Sequence, residues 1–156
     1  MGNKKVLYMH TGSGNHGCEA IVRTTSKLLN GPQDVILWSN TKSEDIKYGS
    51  AQGFEKIVVP EQLERFSTAY FEALVKRKLF HRKNANMEVF LRDLFKDNIA
   101  ISVGGDNYCY DWSAKQAVML DKEIRKYCKS SVLWGCSIDS EAITAEVRED
   151  LAGFDL

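Results

Sequence analysis

The sequence has no excess of either charge: lysine plus arginine number 21, and aspartate plus glutamate number 21. A chain so balanced has no bulk field to draw it to nucleic acid or to a membrane. The nearest approach to a basic stripe is Lys76-Arg77-Lys78 with Arg82 and Lys83, on a helix-like segment, and it reads as a solvated face. Long hydrophobic runs are missing too. Met1–Lys5 is polar and is followed by only a short apolar run, Val6–Met9, so neither a signal peptide nor a membrane span is expected. The cytoplasm is the expected location. The four cysteines, Cys18, Cys109, Cys128 and Cys136, form no C-x-x-C pair, which excludes zinc-knuckle and thioredoxin spacings. In a reducing compartment they are expected as free thiols. There is no internal repeat, low-complexity tract or Pro/Gly/Ser-rich linker, so residues 1–156 read as one domain with a single sizeable core.

What is present is an alternation of short apolar runs with longer periodic segments. The runs at 4–9, 34–39, 56–59, 99–103 and 131–134 predict five buried strands. Helices are predicted at about 18–29, 61–80, 87–95, 113–128 and 140–151, the first stopped by Asn30-Gly31-Pro32. Continuous apolar strands taking turns with helices predict an α/β fold: a Rossmann-like, doubly wound, mostly parallel sheet with helices on both faces.

Three loops follow predicted strands, and in open α/β sheets ligands sit beyond the carboxyl ends of the strands. The three are therefore expected to line a single site. The first holds Gly12-x-Gly14-x-x-Gly17 between a strand and a helix, formally a dinucleotide fingerprint. That reading also needs an acidic residue closing the second strand, where Ser39 and Asn40 stand instead. Cys18, at the helix start, reads as a small half-buried residue rather than as a nucleophile served by His10 or His16. Glu19 is either a capping carboxylate or a substrate ligand. His10, His16 and Cys18 lack a partner motif, so no metal is expected. The second loop, Gly104-Gly105-Asp106-Asn107-Tyr108, offers open backbone amides and a carboxylate–amide pair suited to sugar hydroxyls, with Tyr110 and Trp112 as stacking faces. The third, Gly135-Cys136-Ser137-Ile138-Asp139, either cradles a ligand or caps the last helix.

Together these loops resemble the polysaccharide pyruvyl transferase family. Gly14-Asn15-His16-Gly17-Cys18-Glu19-Ala20 resembles the family's Gly-Asn-x-Gly-Asp-Glu-Ala loop, Ser102–Tyr108 its second glycine-rich loop, and Leu133–Ile138 its Gly-x-Ser/Gly-Ile/Leu stretch. Two departures are Cys18, in place of aspartate, and Cys136, where many members have glycine or glutamine. The resemblance implies transfer of pyruvate, as a ketal, from phosphoenolpyruvate to a sugar of a capsular or exopolysaccharide. Phosphoenolpyruvate is the donor substrate, and no further cofactor is implied. The implied fold is one half of a two-domain, glycosyltransferase-like protein, this chain being the N-terminal half. Substrate-binding residues implied on that basis are Gly14, Asn15, Gly17, Glu19, Gly104, Gly105, Asp106, Asn107, Gly135 and Ser137; none is singled out as catalytic. The three loops contain no lysine or arginine, so cations for the donor are expected from a missing C-terminal domain. The isolated chain is expected to be inactive, and an uncovered interdomain face would favour a homo-oligomer. The alternative is a non-catalytic module binding a sugar phosphate or nucleotide sugar.

Overall fold

Val6, Leu7 and Tyr8 are all fully buried, which a strand achieves only when both faces of its sheet are covered. A computed structural model describes residues 3–156 and shows how this is done. Strands β1 (Lys5–His10), β2 (Val35–Ser39), β3 (Lys56–Val58), β4 (Ile99–Val103) and β5 (Ser130–Trp134) form one sheet in the order β3-β2-β1-β4-β5. Every neighbouring pair is parallel. The helices are α1 (His16–Leu28), α2 (Lys42–Lys47), α3 (Thr68–Leu79), α4 (Ala85–Phe95), α5 (Asp111–Ile124) and α6 (Ala145–Leu151).

Alternate side chains divide the core in two. Val6, Tyr8, Ile36 and Trp38 pack against Phe90, Leu91, Leu94 and Phe95 of α4 and Ile124 of α5. Leu7, Val35, Leu37, Ile101 and Val103 pack on the opposite face with Val22 of α1 and Phe54. Phe95 is fully buried, and its truncation to alanine is expected to cost about 3–5 kcal/mol. The third strand in sequence lies at one edge, so the chain crosses back over β2 and β1 to place β4 beside β1. The connections leaving β1 and β4 therefore diverge, opening a crevice at their carboxyl ends. This is an α/β fold with an all-parallel sheet, Rossmann-like in its strand order. Among the described residues no helix is long and apolar enough to cross a membrane.

The helices differ from expectation for local reasons. The segment expected to be helical over 61–80 begins its helix only at Thr68, where Ser67 Oγ accepts from the Tyr70 amide at 3.1 Å. Glu61 and Phe66 hold left-handed backbone, φ 56° and 65°, which ends any helix upstream. The segment at 140–151 divides into a 3-10 turn (Ser140–Ala142) and α6, whose amide at Val147 is capped by Thr144 Oγ1 at 3.2 Å. Helix α2 was not anticipated, although Thr41-x-x-Glu44 carries the spacing of a helix start.

Candidate functional site

The crevice begins with an irregularity in β1. Leu7 pairs with Leu37 but His10 pairs with Ser39, so β1 holds one residue more than β2 over this stretch. Met9 takes up the extra residue with φ 66°, a costly conformation for a non-glycine residue. As a result Met9 joins Tyr8 on the α4–α5 side of the sheet, while His10 is buried against α2.

A cleft of about 320 Å³ lies there, across the carboxyl ends of β1, β2 and β4. Its apolar surface comes from Met9, Trp38, Met87 and Leu120. Thr11, Asn40, Asp106, Asn107 and Gln116 supply polar groups, and the exposed rings of Tyr110 and Trp112 complete it. Asn107 is the best-defined polar group. It is only 7% exposed, yet its Nδ2 has no hydrogen-bond partner. Its amide folds back over Gly104, where any Cβ would collide with it, so glycine at 104 is what leaves room for the side chain. Asp106 beside it is exposed.

The third loop supports the second. The Ser137 amide donates to Gly105 O at 2.6 Å, the Asp139 amide to Tyr108 O at 3.1 Å, and Tyr108 and Ile138 form an isolated parallel bridge. Gly135 (φ 65°) and Gly105 both approach Ile21 of α1. Ser137 is exposed, and Asp139 caps the turn after it by accepting from the Glu141 amide at 2.9 Å. Burial pushes the Cys136 thiol up to about 11, which keeps it protonated and unreactive at neutral pH.

The first loop has different company. Asn15 caps α1, its Oδ1 accepting from the Gly17 amide at 2.9 Å and the Cys18 amide at 3.4 Å. Glu19 is held between His16 (3.0 Å) and Arg23 (2.7 Å), whose hydrogen bonds keep its carboxyl below the usual range. The Gly14 amide donates to Glu44 Oε2 at 3.1 Å, and Thr41 Oγ1 donates to Thr11 O at 3.2 Å, so α2 clasps this loop from outside. Of the residues singled out from sequence, Asp106, Asn107, Tyr110 and Trp112 line the cleft, whereas Gly14, Asn15, Gly17, Glu19, Gly104, Gly105, Gly135 and Ser137 are not among its lining residues. Met9, Trp38, Asn40, Met87 and Gln116 join them without any local sequence signal, since they come from β1, the end of β2 and the loop after it, α4 and α5.

Two buried polar networks flank the crevice. On the α2 side, Asp45 Oδ1 is met by His10 Nε2 at 2.8 Å and accepts from Ser13 Oγ at 2.6 Å and the Ser13 amide at 3.2 Å. On the α5 side, Tyr8 donates to Asp121 at 2.7 Å, and the Tyr108 hydroxyl lies 2.8 Å from Asp121 and 2.7 Å from Asp150. Arg125 donates to Asp150. Among the described residues no cluster of three or more His, Cys, Asp or Glu side chains is placed to hold a metal ion. Comparison with models of protein families, with curated proteins and with solved structures finds no match to this chain.

Proposed function

We propose that the cleft receives the sugar acceptor of a pyruvyl transfer reaction. One observation carries this reading: a buried, unpartnered amide at Asn107 beside the exposed carboxylate of Asp106, in a cleft edged by two exposed aromatic rings. A donor next to an acceptor matches neighbouring sugar hydroxyls, and Tyr110 and Trp112 offer flat faces to a pyranose ring. None of the residues lining the cleft is a lysine, arginine or histidine. Phosphoenolpyruvate, with a phosphate and a carboxylate, needs convergent cations. The donor half of the site is accordingly assigned to a second, glycosyltransferase-like domain.

In the reaction, one acceptor hydroxyl adds to C2 of phosphoenolpyruvate as the methylene carbon gains a proton, and a second hydroxyl then displaces phosphate from C2, its proton leaving to phosphate or solvent, giving the ketal. The residues of this cleft hold and orient the hydroxyls, and no proton transfer is assigned to any of them. Cys18 has no part in this chemistry, and Cys18→Ser in an active protein is expected to retain most activity. A loss of roughly a thousandfold, about 4 kcal/mol in barrier, would reassign the first loop.

The test uses tryptophan fluorescence, since Trp38 and Trp112 both border the cleft. Hexoses and their glycosides should change the emission, and phosphoenolpyruvate alone should show no micromolar binding by calorimetry. Micromolar binding of phosphoenolpyruvate without any response to sugars would sink this assignment. A saccharide response with no ketal formed, even when a cationic domain is supplied, would favour a non-catalytic sugar-binding module.

A further inference from the structure

Helix α3 leaves several of its large apolar side chains in solvent. Ala73 is its one fully buried residue, and Glu72 and Lys76 reach across to Arg92 and Glu88 of α4. At roughly 3.6 residues per turn, Phe71 and Val75 fall on the side of the helix opposite Ala73. They are exposed, Phe71 by 52%, Val75 by 46% and the following Leu79 by 71%, and Phe66 and Phe80 at the two ends by 79% and 68%. Five large apolar side chains within one helix and its flanks thus face outward, more than scattered exposure explains.

From Ala73 onward the charge of this segment is of one sign. Residues 73–84 contain Lys76, Arg77, Lys78, Arg82 and Lys83 and no acid, in a chain whose formal net charge is zero. Lys76 is committed to Glu72 at 3.0 Å and Glu88 at 2.8 Å, and Arg82 lies 3.6 Å from Glu88. Arg77, Lys78 and Lys83 pair with no carboxylate among the described residues, and all three are exposed.

We propose that α3 and its flanks, Phe66 to Lys83, form a docking surface for an anionic lipid bilayer. Phe71, Val75, Leu79 and Phe80 enter the boundary between headgroups and acyl chains, and Arg77, Lys78, Arg82 and Lys83 meet the headgroups. The combination of an apolar stripe with flanking cations is what an interfacial helix requires. Long cationic side chains extend past the apolar rings while keeping their charge in the headgroup layer. A second copy docked about Leu79 and Phe80 is disfavoured by the same inventory, since a two-fold axis there would set each cationic segment against its own twin. This proposal is independent of the reaction assigned to the cleft.

The experiment is co-sedimentation of the purified chain with vesicles of phosphatidylcholine alone and of phosphatidylcholine mixed equally with phosphatidylglycerol. Binding is expected on the mixed vesicles only, weakening as salt is raised. The variant carrying Arg77→Glu, Lys78→Glu, Arg82→Glu and Lys83→Glu should lower partitioning by roughly a hundredfold or more. A second variant, Phe71→Ser with Leu79→Ser and Phe80→Ser, should bind weakly while keeping the melting temperature of the parent, since all three side chains are already exposed. Equal binding to both vesicle types overturns the proposal, as does unchanged binding by either folded variant. Self-association in the absence of lipid that the serine variant abolishes would assign the surface to a second copy instead.

Discussion

Asp45 and Asp121 are equally hidden, each with no solvent exposure, yet their surroundings drive them in opposite directions. Burial works against ionisation at Asp45, but hydrogen bonds from Ser13, Ser39 and His10 outweigh it and hold the carboxyl below its usual range. At Asp121 burial prevails over the hydrogen bonds from Tyr8 and Tyr108 and raises the carboxyl to about 7. Proton counting gives the same answer. The Tyr108 hydroxyl has one proton and faces two carboxyls, so one of them must carry a proton of its own. Arg125 donates to Asp150, and the extra proton is assigned to Asp121, whose carboxyl burial raises. Burial alone therefore does not decide the charge of a carboxyl; the number of protons aimed at it does.

The largest expected effect breaks the α5–α6 network at its cation. Arg125→Met removes the cation that donates to buried Asp150 and should cost about 3–5 kcal/mol in denaturant unfolding; a loss below about 1 kcal/mol would mean the pair contributes little to stability. Next comes a pH effect. Because Asp121 has a raised folded pKa, the folded state holds a proton that the unfolded chain releases near pH 4. That stability is complete below about pH 4 and is lost as pH rises to about 7, on the order of 4 kcal/mol in all. Asp121→Asn, which mimics the protonated carboxyl, should flatten this slope, as unfolding measured at several pH values would reveal. A parallel slope in the variant would place the proton elsewhere. Asp45 runs the other way, its contribution present above about pH 4 and lost on acidification. Asp45→Ala should cost about 2 kcal/mol at neutral pH by stranding its donors. The smallest effect on stability is at the cleft's edge. Trp112→Ala, at a residue 65% exposed, should change stability by less than about 0.5 kcal/mol. It should also weaken saccharide binding roughly tenfold by fluorescence titration.

These networks explain how much of the molecule could be read from its sequence. The five strands were legible because each is a short apolar run between turn residues, and all five runs correspond to strands in the sheet. Asp121 and Asp150 were not, since within Leu120-Asp121-Lys122-Glu123 and Arg148-Glu149-Asp150-Leu151 they look like members of a solvated helix face. Their burial comes from tyrosines far along the chain, Tyr8 being 113 residues from Asp121. The same holds at the crevice. Gly12 and Gly14 announced a tight loop, but nothing local said that Thr41 and Glu44 would close over it. Nor does Tyr8-Met9-His10 advertise a bulge, because left-handed backbone at methionine is imposed by tertiary packing and not by local preference.

The strand order also sets a timetable for synthesis. β1 emerges first and pairs with β2 soon afterwards, but its other edge must wait for β4, where Lys5 meets Ile99 across 94 residues. At roughly 5–20 residues per second, that edge stays unpaired for about 5–20 seconds on the ribosome. During that interval Val6, Leu7 and Tyr8, which end fully covered in the sheet, are an exposed aggregation hazard of the nascent chain.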